Sequence, residues 1–299
     1  LPMMALAAHA HSPWLTVAAA SLGNAMFHVG AGTLILELGT KRTAPAGIFV
    51  GPGALGLGFG LWYGKSPAAG PLWPLILVLV LAALGHGLAW RHGRATRALG
   101  STPPRAAAER LASNSRRPLG AEGLVGIASV ALLLSVAVRA LTGGAILRGC
   151  TPSLLLLLGA PLAAFSGKVL GGFVADRVGW FEATALALLV STPLMLTSPT
   201  HPGVLLLGMM TLQMTMPVTL VAMSRALPTL PGVAFGLPCL ALAIGSLPGT
   251  FHSTQPLIAR PLLLGWNLLA LVAVTVGLWL LGVRLRRLPS LDSHKDALA

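Results

Sequence analysis

The sequence predicts an all-α, polytopic helical membrane protein, on three observations. Of its 299 residues, 55% are hydrophobic and 9% charged, against about 25% charged in an ordinary soluble domain. The apolar residues gather in runs long enough for spanning helices, which need about 20 residues each. Glycine (36) and proline (23) are too frequent for water-soluble helices, yet a bilayer tolerates them because neighbouring helices re-satisfy the freed backbone groups.

Twenty Lys and Arg against seven Asp and Glu give a formal charge of +13. In a soluble chain that would suggest nucleic acid. Here the charges lie between apolar runs, with no basic face, no aromatic-interleaved basic patch and no zinc-finger spacing, so no nucleic-acid partner is expected. Cys150 and Cys239 stand 89 positions apart, without CxxC or metal-ligand spacing, and read as small buried apolar residues. The opening LPMMALAAHA lacks the basic start and cleavage site of a signal peptide; it reads as a cut end, with residues 1–8 the outer end of a further helix.

Nine stretches qualify as spans: 14–38, 44–63, 72–90, 121–142, 152–174, 181–197, 203–223, 232–249 and 262–283. The first carries Asn24 and His28, four apart on one helix face near the midplane, with Glu37 close to Lys41 at its inner end. The second runs Gly47-Ile-Phe-Val-Gly51-Pro52-Gly53-Ala54-Leu55-Gly56. Pro52 removes a helix hydrogen bond and kinks the segment, while Gly47, Gly51 and Gly56 open a groove for tight packing. The third lies between Trp73 and Trp90, placed as interfacial anchors. Residues 91–118 then form a linker with seven arginines and one acid.

The fourth stretch places Arg139 toward its outer end, with Ser135 one turn away; the planar guanidinium suits an anionic substrate, or else snorkels to the interface. The fifth runs through Lys168, expected at the inner interface, to Gly171-Gly172-Phe173-Val174-Ala175-Asp176-Arg177-Val178-Gly179-Trp180, which leads into the sixth. Asp176 ends a helix, where the macrodipole disfavours an anion, so it should serve another helix's N-terminus or a nearby arginine. The seventh carries Met209, Gln213 and Met216 at i, i+4 and i+7, a soft stripe with one amide that either meets a ligand or packs. The eighth and ninth complete the set, and the ninth ends in the basic Arg284-Leu285-Arg286-Arg287. With the linker taken as cytoplasmic and sides alternating, sixteen Lys and Arg fall inside and four outside, as the positive-inside rule requires. The C-terminus is then cytoplasmic.

The run Gly172 to Gly179 resembles the GxxxDRxG loop of the major facilitator superfamily in its second copy, although Trp180 and Phe181 replace the following basic pair. Ser21 to Gly32 is similar to the fourth helix of that superfamily, especially of drug exporters of the fosmidomycin-resistance type. Gly47 to Gly56 is similar to its fifth-helix antiporter motif, with Leu55 where glycine is expected. The resemblance implies a two-bundle transporter fold whose N-terminal bundle is incomplete. Residues 1–90 then hold the end of helix three and helices four to six, 91–120 a basic cytoplasmic loop, 121–285 helices seven to twelve, and 286–299 a cytoplasmic tail.

The resemblance further implies that helices four, seven and ten line a central cavity. Asn24, His28, Arg139 and Gln213 become the substrate-binding candidates. Gly47, Gly51, Pro52, Gly172, Asp176 and Arg177 become the gating or conformational ones. His28 can exchange a proton near neutral pH. The expected protein is an inner-membrane, multi-pass, monomeric secondary carrier that exports a small amphipathic or anionic molecule by alternating access, coupled to H+. The alternative is a truncated or degenerate carrier that no longer transports. No cofactor or metal is expected, and no enzyme activity: GxxxxGK[ST], GxSxG and HExxH do not occur, and His28 as a base would lack a partnered nucleophile.

Overall fold

The computed structural model describes residues 12–38, 42–65, positions within 80–88, 121–148, 153–196, 201–250 and 260–287. Among them there are nine α-helices: α1 (Pro13–Leu38), α2 (Ala44–Lys65), α3 (Ala121–Arg148), α4 (Leu154–Val178), α5 (Trp180–Leu196), α6 (Pro202–Gln213), α7 (Met216–Ala226), α8 (Pro231–Ser246) and α9 (Arg260–Arg287). A 3-10 turn at Leu247–Thr250 follows α8.

Among the described residues six spans are long and apolar enough to cross a membrane: Trp14–Glu37, Ala44–Tyr63, Glu122–Ala145, Leu154–Val178, Pro202–Ala226 and Leu262–Gly282. The protein is a multi-pass helical membrane protein. This is a lower count than the nine stretches of the sequence, for identifiable reasons. The stretch 72–90 lies largely outside the described residues. Helix α5 is described over 17 residues, Trp180–Leu196, and α8 is held to 16 because Pro248 has no N–H to continue it and the chain tightens into the 3-10 turn.

The chain divides into two compact units, Leu1–His28 with Tyr63–Arg116, and Val29–Trp62 with Arg117–Ala299. In the second, α3 packs along α8 and α9, α6 lies against both α4 and α5, and α7 touches α3, α4, α8 and α9. The packing logic is that of lipid-immersed helices. Every buried residue of α4 is small: Ala160, Ala163, Ala164, Gly167, Gly171, Gly172 and Ala175. Its Leu155, Leu158, Leu162 and Leu170 point outward. Lipid tails are as apolar as leucine, so large side chains gain nothing by turning inward, whereas small ones let backbones approach.

Gly167 and Gly171, spaced GxxxG, show this directly. A Cβ on either would collide with the backbone carbonyls of Met210 and Met214, respectively. Those carbonyls sit beside a break in the neighbouring helix. Pro217 has no N–H to offer the Gln213 carbonyl and its ring crowds that oxygen, so α6 ends at Gln213 with Met214 N–H donating to Thr211 O at 3.1 Å. The helix resumes as α7, with Pro217 in its first turn. Within the second unit a large core runs through α3 to α9, and a smaller one gathers Leu36, Ala46, Val50, Met216, Leu220, Val221 and Phe235.

Candidate functional site

The α4–α5 turn meets the start of α2. Asp176 Oδ1 accepts from Thr43 N–H at 2.6 Å and Oδ2 from Ala44 N–H at 3.0 Å. The Thr43 hydroxyl lies 2.8 Å from both Oδ1 and the Gly172 carbonyl and donates to one of them at a time. A helix start leaves its first N–H groups without intrahelical partners, and Pro45 removes one of α2's. The carboxylate answers the remaining need and the positive end of the dipole together. An anion that is unwelcome at the C-terminus of α4 thus becomes the N-terminal anion of α2.

Two glycines make the junction possible. A Cβ on Gly172 would stand 2.7 Å from Ala44 Cα and 2.9 Å from Thr43 O. Gly179 has φ 108° and ψ 151°, its N–H donating to Ala175 O at 3.1 Å, and a Cβ there would strike the Glu182 carboxylate. It closes α4 and opens α5 in one residue, in a region of backbone space open essentially to glycine alone. Arg177 beside Asp176 is exposed.

Further along α2, Gly47 lies against the Lys168 carbonyl and Pro217, and Gly51 against Phe165 and Val169. The third packing glycine is Gly58, over Pro161, whereas Gly56 faces open space; the expectation for Gly56 is corrected. Gly47, Gly51 and Gly58 recur at four and seven residues, a continuous helical face, and Gly56 falls off it. Pro52 is exposed. Lys168 is corrected as well. Instead of reaching an interface, its Nζ turns to the Val50 carbonyl of α2 at 3.5 Å, because it lies on the side of α4 that meets α2.

Arg139 sits in the second unit and is 7% exposed, so it does not snorkel. Its Nε donates to Ser135 O at 3.1 Å and its Nη2 to Thr219 Oγ1 at 2.9 Å. The Ser135 hydroxyl is occupied elsewhere, donating to Ala270 O at 2.9 Å, so the help expected from it comes through its carbonyl. Thr219 in turn donates to Thr215 O at 2.8 Å. Both residues facing Arg139 are neutral dipoles. The chain's acids are Glu37, Glu109, Glu122, Asp176, Glu182, Asp292 and Asp296, and the nearest along α3, Glu122, lies in its first turn.

The methionine stripe is not one face. The break at Pro217 sends Met209 into the large core and Met216 into the small one, while half-buried Gln213 lies over Gly167. Asn24 and His28 belong to the first unit; Asn24 is exposed, and His28 is half-buried with its ring edge-on to Phe27 at 5.8 Å. The sequence reading missed Thr43, Thr219 and the stacking of Arg225 over Trp180 at 3.9 Å. Their signals were present: Thr43 stands before Ala44-Pro45 in an N-cap position, and Thr211, Thr215 and Thr219 recur every four residues. Among the described residues no group of His, Cys, Asp and Glu is placed to hold a metal.

No protein-family model matches the chain, and neither a curated protein nor a solved structure matches it.

Proposed function

We propose that the chain is a secondary carrier of the major facilitator type that exports a small anionic molecule by alternating access, coupled to H+, from an inner membrane with its C-terminus in the cytoplasm. The observation that carries this reading is Arg139, a buried guanidinium bridging α3 and α7 whose only hydrogen-bond partners among the described residues are neutral. A charge taken out of water is costly unless paired, and ionisable groups at membrane depth mark substrate pathways by default. A substrate carboxylate or phosphonate would complete the pair, with the Gln213 amide as a further donor on the broken α6–α7 segment. Asn24 and His28 lie in the first unit, where the imidazole is the group proposed to exchange the coupling proton.

The motion is assigned to the α2–α4 contact. Gly47, Gly51 and Gly172 allow a close approach that separates as a unit, and Asp176 holds the start of α2 only while the two helices are docked. Arg177 and Pro52 flank that contact.

The test is efflux from cells loaded with an anionic phosphonate such as fosmidomycin or with the cation ethidium, with and without a pH gradient. Export of the anion alone, dependent on the gradient and lost in Arg139→Ala and His28→Ala at normal expression, is the expected result. Wild-type export in both variants removes the site, and absence of any flux leaves the non-transporting alternative as the better account.

A further inference from the structure

A cavity of about 720 Å³ opens where α2 begins and α4 ends, with Arg42, Asp176 and Arg177 on its polar side and Ile48, Phe173 and Trp180 among its apolar walls. Its charges are unevenly committed. Asp176 already accepts from three donors at the start of α2, and the neighbouring Glu182 is folded back over Gly179 in the first turn of α5. Both carboxylates are therefore matched to helix N-termini. Arg42 and Arg177 have no hydrogen bond or ion pair among the described residues, and both are exposed. A third cation, Arg225, stacks on the Trp180 ring.

The apolar side does not end at the cavity. Ile48 and Phe173 are 50% and 40% exposed, at the ends of two membrane spans. A ligand fitting this place must join an anion to an apolar chain. Arginine forks match phosphate oxygens, and basic pockets between spanning helices are suited to phospholipid headgroups.

We propose that this cavity binds an anionic phospholipid of the adjoining leaflet, Arg42 and Arg177 holding its phosphate and Ile48 and Phe173 lying along an acyl chain. Arg42 precedes Thr43 and Arg177 follows Asp176, so a phosphate between them clamps the same two helix ends that Asp176 joins. The lipid then favours the docked state of α2 and α4, whether or not the chain transports.

The experiment is native mass spectrometry of the purified full chain from mixed micelles holding equal phosphatidylglycerol and phosphatidylcholine. Retained phosphatidylglycerol should dominate in the wild type and fall about 30-fold in Arg42→Gln/Arg177→Gln, about fivefold for each basic residue near an anionic leaflet. Arg42→Lys/Arg177→Lys should restore most of it. Equal retention of the two lipids by the wild type, or unchanged phosphatidylglycerol in the Gln pair, overturns the proposal. Displacement of phosphatidylglycerol by millimolar inorganic phosphate would make free phosphate the ligand and overturn the lipid assignment. The wild-type comparison of the two lipids decides the matter even if the Gln pair does not fold.

Discussion

Replacing Asp176 by Asn keeps the shape of the side chain and removes its charge and one acceptor. Oδ1 can keep its Thr43 contacts, but the amide nitrogen then faces Ala44 N–H, donor against donor, where Oδ2 had accepted at 3.0 Å. A charge-assisted bond of this kind contributes about 1.5 to 3 kcal/mol when sheltered. The side chain is exposed, so solvent screening brings the loss to about 1 to 2 kcal/mol. If the bond exists only while α2 is docked on α4, the undocked population rises by about 5- to 30-fold. Ala46, 3% exposed in the small core, reports that population as a cysteine. In an Ala46→Cys chain whose Cys150 and Cys239 are replaced by Ser and Ala, maleimide labelling should speed up by that factor when Asp176→Asn is added. In a Thr43→Val background the same change should cost less, because the two residues share one network. Labelling rates within twofold of each other with and without Asp176→Asn would refute the idea that this carboxylate holds the junction.

Arg139→Met should leave the thermal midpoint in detergent unchanged or higher, since an apolar side chain of similar volume avoids the desolvation of a buried cation, while removing anion export; a large drop in the midpoint would make Arg139 a structural residue. Gly171→Val drives a side chain into the Met214 backbone, an overpacking of about 3 kcal/mol or more, and should abolish recovery of folded protein, whereas Gly265→Ala meets nothing within 4 Å and should be silent by size-exclusion profile. Gly179→Ala must adopt φ 108° and displace Glu182, which should lower the midpoint by the equivalent of about 1 to 3 kcal/mol; an unchanged midpoint would mean the turn rearranges freely.

Several features of the site were legible in the sequence. Asp176 at a helix C-terminus demanded either another helix's N-terminus or a nearby arginine, and it lies at the N-terminus of α2. Gly47 and Gly51 were readable as a packing face because glycine at four-residue spacing has few other uses in an apolar helix. Other features were not. Pro217 stood inside the stretch 203–223, but whether a proline kinks a spanning helix or ends it depends on what neighbours re-satisfy the freed carbonyl, and a continuous Met209–Gln213–Met216 stripe was the result of assuming a kink. Lys168 and Ser135 were misdirected for a similar reason: a polar side chain bonds to whichever acceptor the adjoining helix presents, and the sequence does not say which helix adjoins.

The sequence by itself determined the solvent, the all-helical class and the need for close helix packing, because those follow from transfer free energies, hydrogen-bond satisfaction in hydrocarbon and residue size, each summed along a single segment. Only the tertiary structure decided which helix receives the Asp176 carboxylate, that Arg139 is buried against Thr219, and that two arginines share a cavity with Phe173. These depend on the rotation and register of one helix against another, and within a membrane that choice is made by small differences in packing among faces that are nearly equally apolar.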